Sequence, residues 1–424
     1  MIYPSQKIPA WLLQKFPVRW ARRCAGSSAN SPSLDRRANS QLLVDVSVIY
    51  ESDSRTGIQR VVRALLLQLL SDPPSGYTIF PIFATRRYGY RYADANFLGH
   101  VERPDVSVQR PVEVQSGDIF LGLDLAAHLL PRHQAEMLRW KRSGVKLHVL
   151  VYDLLPVQHP EWFNPRTERN FKRWIRWIAV YADNAICISD AVRKELHDWL
   201  SVNFGMSDAA PHMSTIVLGA DVAASSPSRG LPNNAQPLLT MLHGKPTVLM
   251  VGTIEPRKGY EQALAAFECL WQEPDTTAVL VLVGRAGWKT ESLQIKLRNH
   301  LEAGHRLFWL DNASDEFLTY LYAICSGVLI ASRAEGFGLP LIEAALHNKP
   351  ILARDLPVFH EIGAEEITYF DSEDPEELAH ALKKWLHIKN LEPANRKSKF
   401  CVPTWQLSAS QLKNALGFRS TSEL

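Results

Sequence analysis

Residues 327–353 read GVLIASRAEGFGLPLIEAALHNKPILA. Val328 to Ser332 is a short apolar run, the pattern of a strand buried in a parallel sheet. Arg333 to Gly338 is a loop with two glycines and one carboxylate, and Leu339 to His347 predicts a helix. Pro340 falls in its first turn, where a missing N–H is no loss. Asn348-Lys349-Pro350 ends the helix, and Ile351 to Ala353 starts the next strand. Such a strand–loop–helix–strand unit puts its loop at the carboxyl end of a strand, where open α/β sheets bind ligands. The free N–H groups of the helix start, with their partial positive charge, suit a phosphate.

Two glutamates frame this loop: Glu335 before the helix and Glu343 about one turn inside it. A carboxylate beside a phosphate repels it unless it faces something else. Sugar hydroxyls fit, because one carboxylate accepts two of them at once. The pattern therefore suits a nucleotide sugar; it also suits a plain surface helix preceded by a turn glutamate.

The segment EGFGLPLIE, Glu335 to Glu343, resembles the signature of the retaining glycosyltransferases of family four, two glutamates separated by seven residues. The resemblance extends over roughly residues 42–415. It implies the GT-B architecture, two Rossmann-like doubly wound parallel-sheet domains facing across a cleft. By the same analogy Glu335 lies at the donor sugar and Glu343 holds the nucleotide ribose. Gly336, Phe337, Gly338 and Leu339 would then line the donor site.

At 424 residues, with a 46% hydrophobic share, the chain has material for two domains of ordinary size. Its cysteines (Cys24, Cys187, Cys269, Cys325 and Cys401) are scattered and odd in number, without metal-ligand spacing. A reducing cytosol is the simplest setting, and no apolar run approaches the ~20 residues that span a bilayer.

The net charge of +3 is uneven. Residues 1–40 hold seven Lys or Arg (Lys7, Lys15, Arg19, Arg22, Arg23, Arg36 and Arg37) against Asp35, a net +6, so the other 384 residues carry −3. The basic excess is in this N-terminal arm, and a nucleic-acid partner is not indicated. Ile8 to Arg23 mixes Trp11, Leu12, Leu13, Phe16 and Trp20 with the cations. Two readings stand, an arm resting on an anionic membrane surface and a solvated tail; the apolar run is too short for a signal peptide. Ser27 to Ser40 has the composition of a flexible connection.

The first domain, residues 41–221, opens with a strand at Leu42 to Val48 and a polar loop. Gly57 then starts a helix to about Leu70. That helix start is either a second phosphate site, as the resemblance implies, or a simple cap. Tyr77 to Phe83 predicts a strand. Arg86 to Tyr92, rich in cations and aromatics without a clean period, predicts a loop that is solvated or touches an acceptor sugar or lipid phosphate. Asp118 to Leu121 predicts a strand leading to Asp124 and a helix to Lys141.

Val145 to Val151 is an apolar strand followed by Asp153 and then His159. Many members of the resembled family carry a histidine at this strand end, facing the reacting sugar. Here Tyr152 occupies the place, so Asp153 or His159 is the candidate for its role, with turn capping as the alternative for His159. Arg166 to Ala182 predicts a helix with Arg169, Arg173 and Arg176 on one face, near lipid head groups or simply solvated. Ser189 predicts the cap of a helix to about Asn203, and Thr215 to Leu218 closes the domain. Val222 to Gly244, rich in Ser, Pro and Asn, reads as the linker.

The donor domain, residues 245–400, begins with a strand at Thr247 to Val251 and the loop Gly252 to Gly259. Lys258 and Arg257 in that loop are placed to meet phosphates. The segment resembles the family's second motif, in which the lysine of the pair binds the donor pyrophosphate; Gly252 belongs to the same loop, and Glu255 buttresses it. A surface pair of cations is the plainer alternative. Ser314 predicts a cap for the helix Asp315 to Ser326, and residues 401–424 hold a final helix that in GT-B enzymes crosses back to the first domain.

Together these features predict a hexosyltransferase that retains configuration and needs no metal, since no Asp-x-Asp pair is present. Its partners would be a nucleotide diphosphate sugar, with GDP-mannose as the expected donor, and a surface glycan or lipid-linked acceptor. No cofactor is implied. Its place would be the cytoplasm, with peripheral attachment to the inner face of the plasma membrane. The competing readings are a GT-B nucleotide-sugar epimerase and a degenerate glycan-binding scaffold. A dinucleotide dehydrogenase is excluded: after Gly336 and Gly338 the third required glycine is Leu341.

Overall fold

The computed structural model describes residues 8–26, 39–94, 97–98, 110–207, 210–221, 227–274, 276–362, 367–391 and 402–418. They form two compact units. One holds the described residues up to 160, with 164–219 and 404 onward; the other holds 161–163 and 220–403.

The first unit is built on a seven-stranded sheet. Its strands are β1 (Ser40–Asp45), β2 (Tyr77–Phe83), β3 (Arg91–Tyr92), β4 (Ile119–Gly122), β5 (Lys146–Val151), β6 (Asn184–Cys187) and β7 (His212–Thr215). Their order is β3-β2-β1-β4-β5-β6-β7, parallel except for β3, which runs antiparallel on the β2 edge. The second unit has β8 (Thr247–Val251), β9 (Val279–Val283), β10 (Leu307–Leu310), β11 (Gly327–Ile330), β12 (Ile351–Arg354) and β13 (Ile367–Phe370). Their order is β10-β9-β8-β11-β12-β13, all parallel. Both sheets grow outward in two directions from a first strand. The chain order therefore reverses between β1 and β4, and again between β8 and β11. Those switch points open a crevice at the carboxyl ends of the strands.

Local chemistry explains the pattern. β9 reads VLVLV and is buried throughout, as a parallel strand covered on both faces must be. Thr56, Asn164, Ser189, Ser314 and Thr404 each accept a backbone N–H at the start of a helix. In the second unit Phe267, Leu280, Leu282, Leu329, Leu352 and Trp385 belong to one apolar core between sheet and helices.

Several segments differ from the sequence expectations. The helix after β4 starts only at Gln134, because residues 127–133 form successive turns. β7 lies three residues earlier than the apolar Thr215–Leu218 stretch suggested. Within the stretch read as a linker, Ala235–Leu242 is a helix whose Ala235, Leu238 and Leu242 are buried. Residues 222–226 lie outside the described residues. Arg86 to Tyr92 is only partly a loop: Arg91–Tyr92 form β3, and Tyr90 and Tyr92 are buried with their hydroxyls on Asp45 and Gln41.

Residues 8–26 are folded, not a solvated tail. Two short helices, Ala10–Leu13 and Val18–Ala25, each follow a proline and pack against the helices Gln134–Arg142 and Pro165–Tyr181. Arg22 donates to the carbonyls of Ala179 (3.0 Å) and Ala182 (2.8 Å), closing the carboxyl end of the longer helix. Arg176, read as part of a lipid-facing or solvated face, donates instead to the carbonyls of Leu13, Gln14 and Phe16. Lys7, Arg36, Arg37, Cys401 and most of the Ser27 to Ser40 connection lie outside the described residues. Among the described residues no helix is long and apolar enough to cross a membrane.

Candidate active site

β8 and β11 are neighbours at the switch point of the second sheet, with Gly327 beside Val248 and Val328 beside Leu249. Two loops leave their carboxyl ends, Gly252 to Gly259 and Ala331 to Gly338. Arg257 and Lys258 sit in the single helical turn Pro256–Lys258 of the first loop. Gly259 follows with φ +69°, and a Cβ there would meet the Ala331 carbonyl oxygen at 2.2 Å. Only glycine allows both this left-handed turn and this approach of the two loops.

The approach brings three charges together. Lys258 Nζ lies 2.5 Å from Glu335 Oε1, and Arg257 Nη1 lies 2.6 Å from Glu335 Oε2. Ser332 Oγ donates to Glu335 Oε1 at 2.7 Å. Arg257 reaches back to Glu255 at 2.8 Å and to the Ala334 carbonyl at 3.2 Å, so Glu255 does brace the cation. The Glu335 side chain is only 7% exposed. Burial, the largest influence, pushes its carboxyl up; Arg257 and Lys258 together with the hydrogen bonds outweigh it and bring the pKa down to about 2.

Gly338 precedes the helix Leu339–Leu346 with φ +108°, and a Cβ there would sit 2.7 Å from the Phe359 ring. Pro340 occupies the first turn. Gly336 and Phe337 are buried, while Leu339 is half-buried at the helix start. Glu343 is buried within the helix, and its Oε2 accepts a 2.8 Å hydrogen bond from Tyr322. The Tyr322 ring stacks on His347 at 4.9 Å, with planes 6° apart. Gly252 follows β8 directly, its carbonyl held by the Tyr260 hydroxyl at 2.6 Å. Gly252, Arg257, Lys258, Glu335, Gly336, Phe337, Gly338, Leu339 and Glu343 thus all belong to one switch point.

The other candidates belong to the first unit. Gly57 is exposed and opens the helix Gly57–Ser71, whose start is closed by a capping box between Thr56 and Gln59. Asp153 follows β5 by two residues, and its Oδ1 accepts from Leu155 N at 3.2 Å. Tyr152 is turned into the core with its hydroxyl on the Leu123 carbonyl. His159 is half-buried at the end of the short helix Leu155–Gln158. Both act electrostatically on Glu195, whose carboxyl burial pushes up; Asp153 adds to that and His159 opposes it. Sequence reasoning missed Glu195, Tyr322 and Ser332. Tyr322 and Ser332 hydrogen-bond the two site glutamates, one from a helix distant in sequence and one from an unremarkable loop position, while Glu195 acts on Asp153 and His159 electrostatically.

Residues 239–399 match the model of the glycosyl transferases group 1 family. The chain is 40% identical over 379 residues to the serotype-specific mannosyltransferase WbdA of Escherichia coli, covering 89% of this chain and 45% of that protein. It therefore spans slightly under half the length of the WbdA relatives it matches. Among solved structures it resembles HepE of Anabaena, determined with UDP and glucose, with TM-score 0.56 and 17% identity over 89% of this chain and 96% of that one. Sucrose-phosphate synthase of Thermosynechococcus elongatus matches with TM-score 0.58 and 17% identity over 89% and 94% of the two chains. The fold is GT-B, and residues 239–399 are similar to the glycosyl transferases group 1 family.

Proposed function

We propose that the chain is a retaining, metal-independent mannosyltransferase that moves mannose from GDP-mannose to a hydroxyl of a growing surface glycan or lipid-linked oligosaccharide. The observation that carries this reading is the buried Glu335 held between Arg257 and Lys258 at a switch point. The likeness to the mannosyltransferase WbdA supports mannose as the sugar, and shorter matches to O-antigen chain mannosyltransferases of Escherichia coli and Salmonella typhimurium support an O-antigen type of glycan as the acceptor.

The diphosphate gains charge as the glycosidic bond breaks. Lys258, Arg257 and the start of the helix Leu339–Leu346 stabilise it electrostatically. Their positions are fixed before the donor arrives, because Glu335 already orders both cations. Glu343, fixed by Tyr322, accepts the ribose hydroxyls. Glu335 faces the transferred sugar, where its negative charge favours the positive charge developing at the anomeric carbon. Gly57, at a helix start, serves the donor diphosphate, and Asp153 and His159, with the neighbouring Glu195, face the reacting sugar. Without a dedicated carboxylate nucleophile, the acceptor hydroxyl attacks from the face that the diphosphate leaves. The enzyme works in the cytoplasm, and the exposed Trp11, Lys15, Arg19, Trp20 and Arg23 attach it to an anionic membrane face.

The test is incubation with a panel of nucleotide sugars and a mannose-ended acceptor. Released GDP with a new α-mannosidic linkage supports the reading. Nucleotide release without elongation returns it to the epimerase class, and donor binding without turnover to the scaffold class.

A further inference from the structure

The first unit carries a second concave site, a pocket of about 370 Å³ between the β3 edge and the helix Gln134–Arg142. Its size is at the low end of the ~300–1,000 Å³ range of small-molecule pockets. Tyr90, Arg91, Arg132, His133, Glu136 and Arg139 line it. Three arginines face one glutamate, and that glutamate is already engaged: Glu136 Oε2 accepts from the Tyr90 backbone N–H at 3.1 Å.

The walls are held in place. The Tyr90 hydroxyl donates to Asp45 Oδ2 at 2.7 Å, and His133 Nε2 is 2.7 Å from the Thr85 carbonyl oxygen. The Arg91 guanidinium lies over the Tyr88 ring at 5.0 Å, and Arg87 lies over the same ring at 5.4 Å. Arg132 and Arg139 are exposed, on the opposite wall. A rigid concavity with an excess of guanidinium forks matches a phosphoryl group, which two arginines hold through paired N–H donors.

We propose that this pocket binds a phosphate or diphosphate group, and that its carrier is the diphosphate of a lipid-linked acceptor. The choice of carrier rests on the transferase reading; the binding of phosphate does not. The arginines would hold the acceptor by its charged end and lower its KM without touching the reacting atoms.

The test starts with inorganic pyrophosphate titrated calorimetrically into Lys258→Ala protein, so that the donor loop contributes little. A second titration uses the same protein with Arg132→Gln and Arg139→Gln added. Both arginines are exposed, and a thermal melt checks that the fold is kept. Binding at least about ten-fold weaker in the second protein is expected; superimposable titrations would overturn the proposal. The carrier is then read in otherwise unaltered enzyme. Arg132→Gln/Arg139→Gln should raise the KM for a mannosylated short-chain prenyl diphosphate while leaving the donor KM and the KM for an octyl mannoside unchanged. Pyrophosphate binding lost without that KM change supports the phosphate site but assigns it to a free phosphate ligand. Absence of any transfer activity, with pyrophosphate binding intact, overturns the transferase reading and not the pocket.

Discussion

Lys258 and Glu335 are 77 residues apart in sequence, yet Lys258 Nζ lies 2.5 Å from Glu335 Oε1. The contact joins the loops that leave two adjacent parallel strands, β8 and β11, and it lies within the candidate donor site. One carboxylate is thereby charged, buried and shared between two cations. Arg257 and Lys258 thus stand against two carboxylates, Glu335 and Glu255, and meet a diphosphate through their N–H donors rather than through a net charge.

Lys258→Ala should raise the donor KM and lower turnover, because one charged hydrogen bond to a diphosphate is worth roughly 1.5–3 kcal/mol. The same change removes one of two cations from the buried Glu335. A lower melting temperature should accompany it, with Arg257 limiting the loss. Donor kinetics and a thermal melt measure the two effects separately. A destabilised protein with unchanged kinetics would make Lys258 a structural cation only.

The same cluster predicts a pH dependence. The Glu335 pKa falls from the ordinary 4.5 to about 2 in the folded protein. A depressed carboxyl contributes stability that is fully present above the unfolded pKa and is lost as pH falls through the folded one. Wild-type protein should therefore be more stable than Glu335→Gln at pH 6, and the gap in melting temperature should close between about pH 4.5 and pH 2. A gap that stays constant over that window would mean that the Glu335 charge adds nothing to folding.

What the sequence made legible follows from what is local. The apolar run before Ser332, the glycines at 336 and 338 and Pro340 specify strand, loop and helix within a few residues. The ion pair was not legible, because Lys258 and Glu335 were read as separate motifs. Only the parallel pairing of β8 with β11 brings them together. The arm shows the same limit. Its cations and tryptophans suggested a tail or a membrane face, and nothing local revealed that Arg22 would cap a helix ending some 160 residues on. Tyr322 was likewise hidden: it belongs to the helix Asp315–Ile324, and only tertiary packing puts its hydroxyl on Glu343.

The folded arm changes how membrane attachment should be probed. Deleting residues 8–26 would uncover the helix Pro165–Tyr181, so point changes are preferable. Trp11 is 60% exposed and Trp20 39%, with Lys15 lying over the Trp11 ring at 5.4 Å. Trp11→Ser/Trp20→Ser should weaken binding to phosphatidylglycerol vesicles, and Lys15→Glu/Arg19→Glu should weaken it further, at about 1 kcal/mol per cation removed. Added salt should weaken the wild type by screening. Equal sedimentation of all forms with vesicles at low salt would show that the arm is no anchor.

Glu335→Gln and Glu343→Gln should fail in different ways. Glu343 is assigned to the ribose, away from the bond that breaks. Its hydrogen bonds are made in ground and transition state alike, so its loss should mainly raise the donor KM. Tyr322→Phe, which keeps the ring but frees Glu343 Oε2 of its 2.8 Å donor, should move the donor KM in the same direction by a smaller factor. Glu335 is assigned to the transferred sugar, where positive charge develops at the anomeric carbon. Glutamine keeps the shape and removes the charge, so kcat should fall by about 10²-fold, as on loss of one preorganised electrostatic group. That variant also releases Arg257 and Lys258 from their carboxylate, which should tighten binding of the departing GDP and make product inhibition stronger. Donor KM, kcat and the inhibition constant of GDP, measured at saturating acceptor, separate these effects. If Glu335→Gln keeps kcat and only raises the donor KM, Glu335 is a binding residue and its catalytic assignment fails.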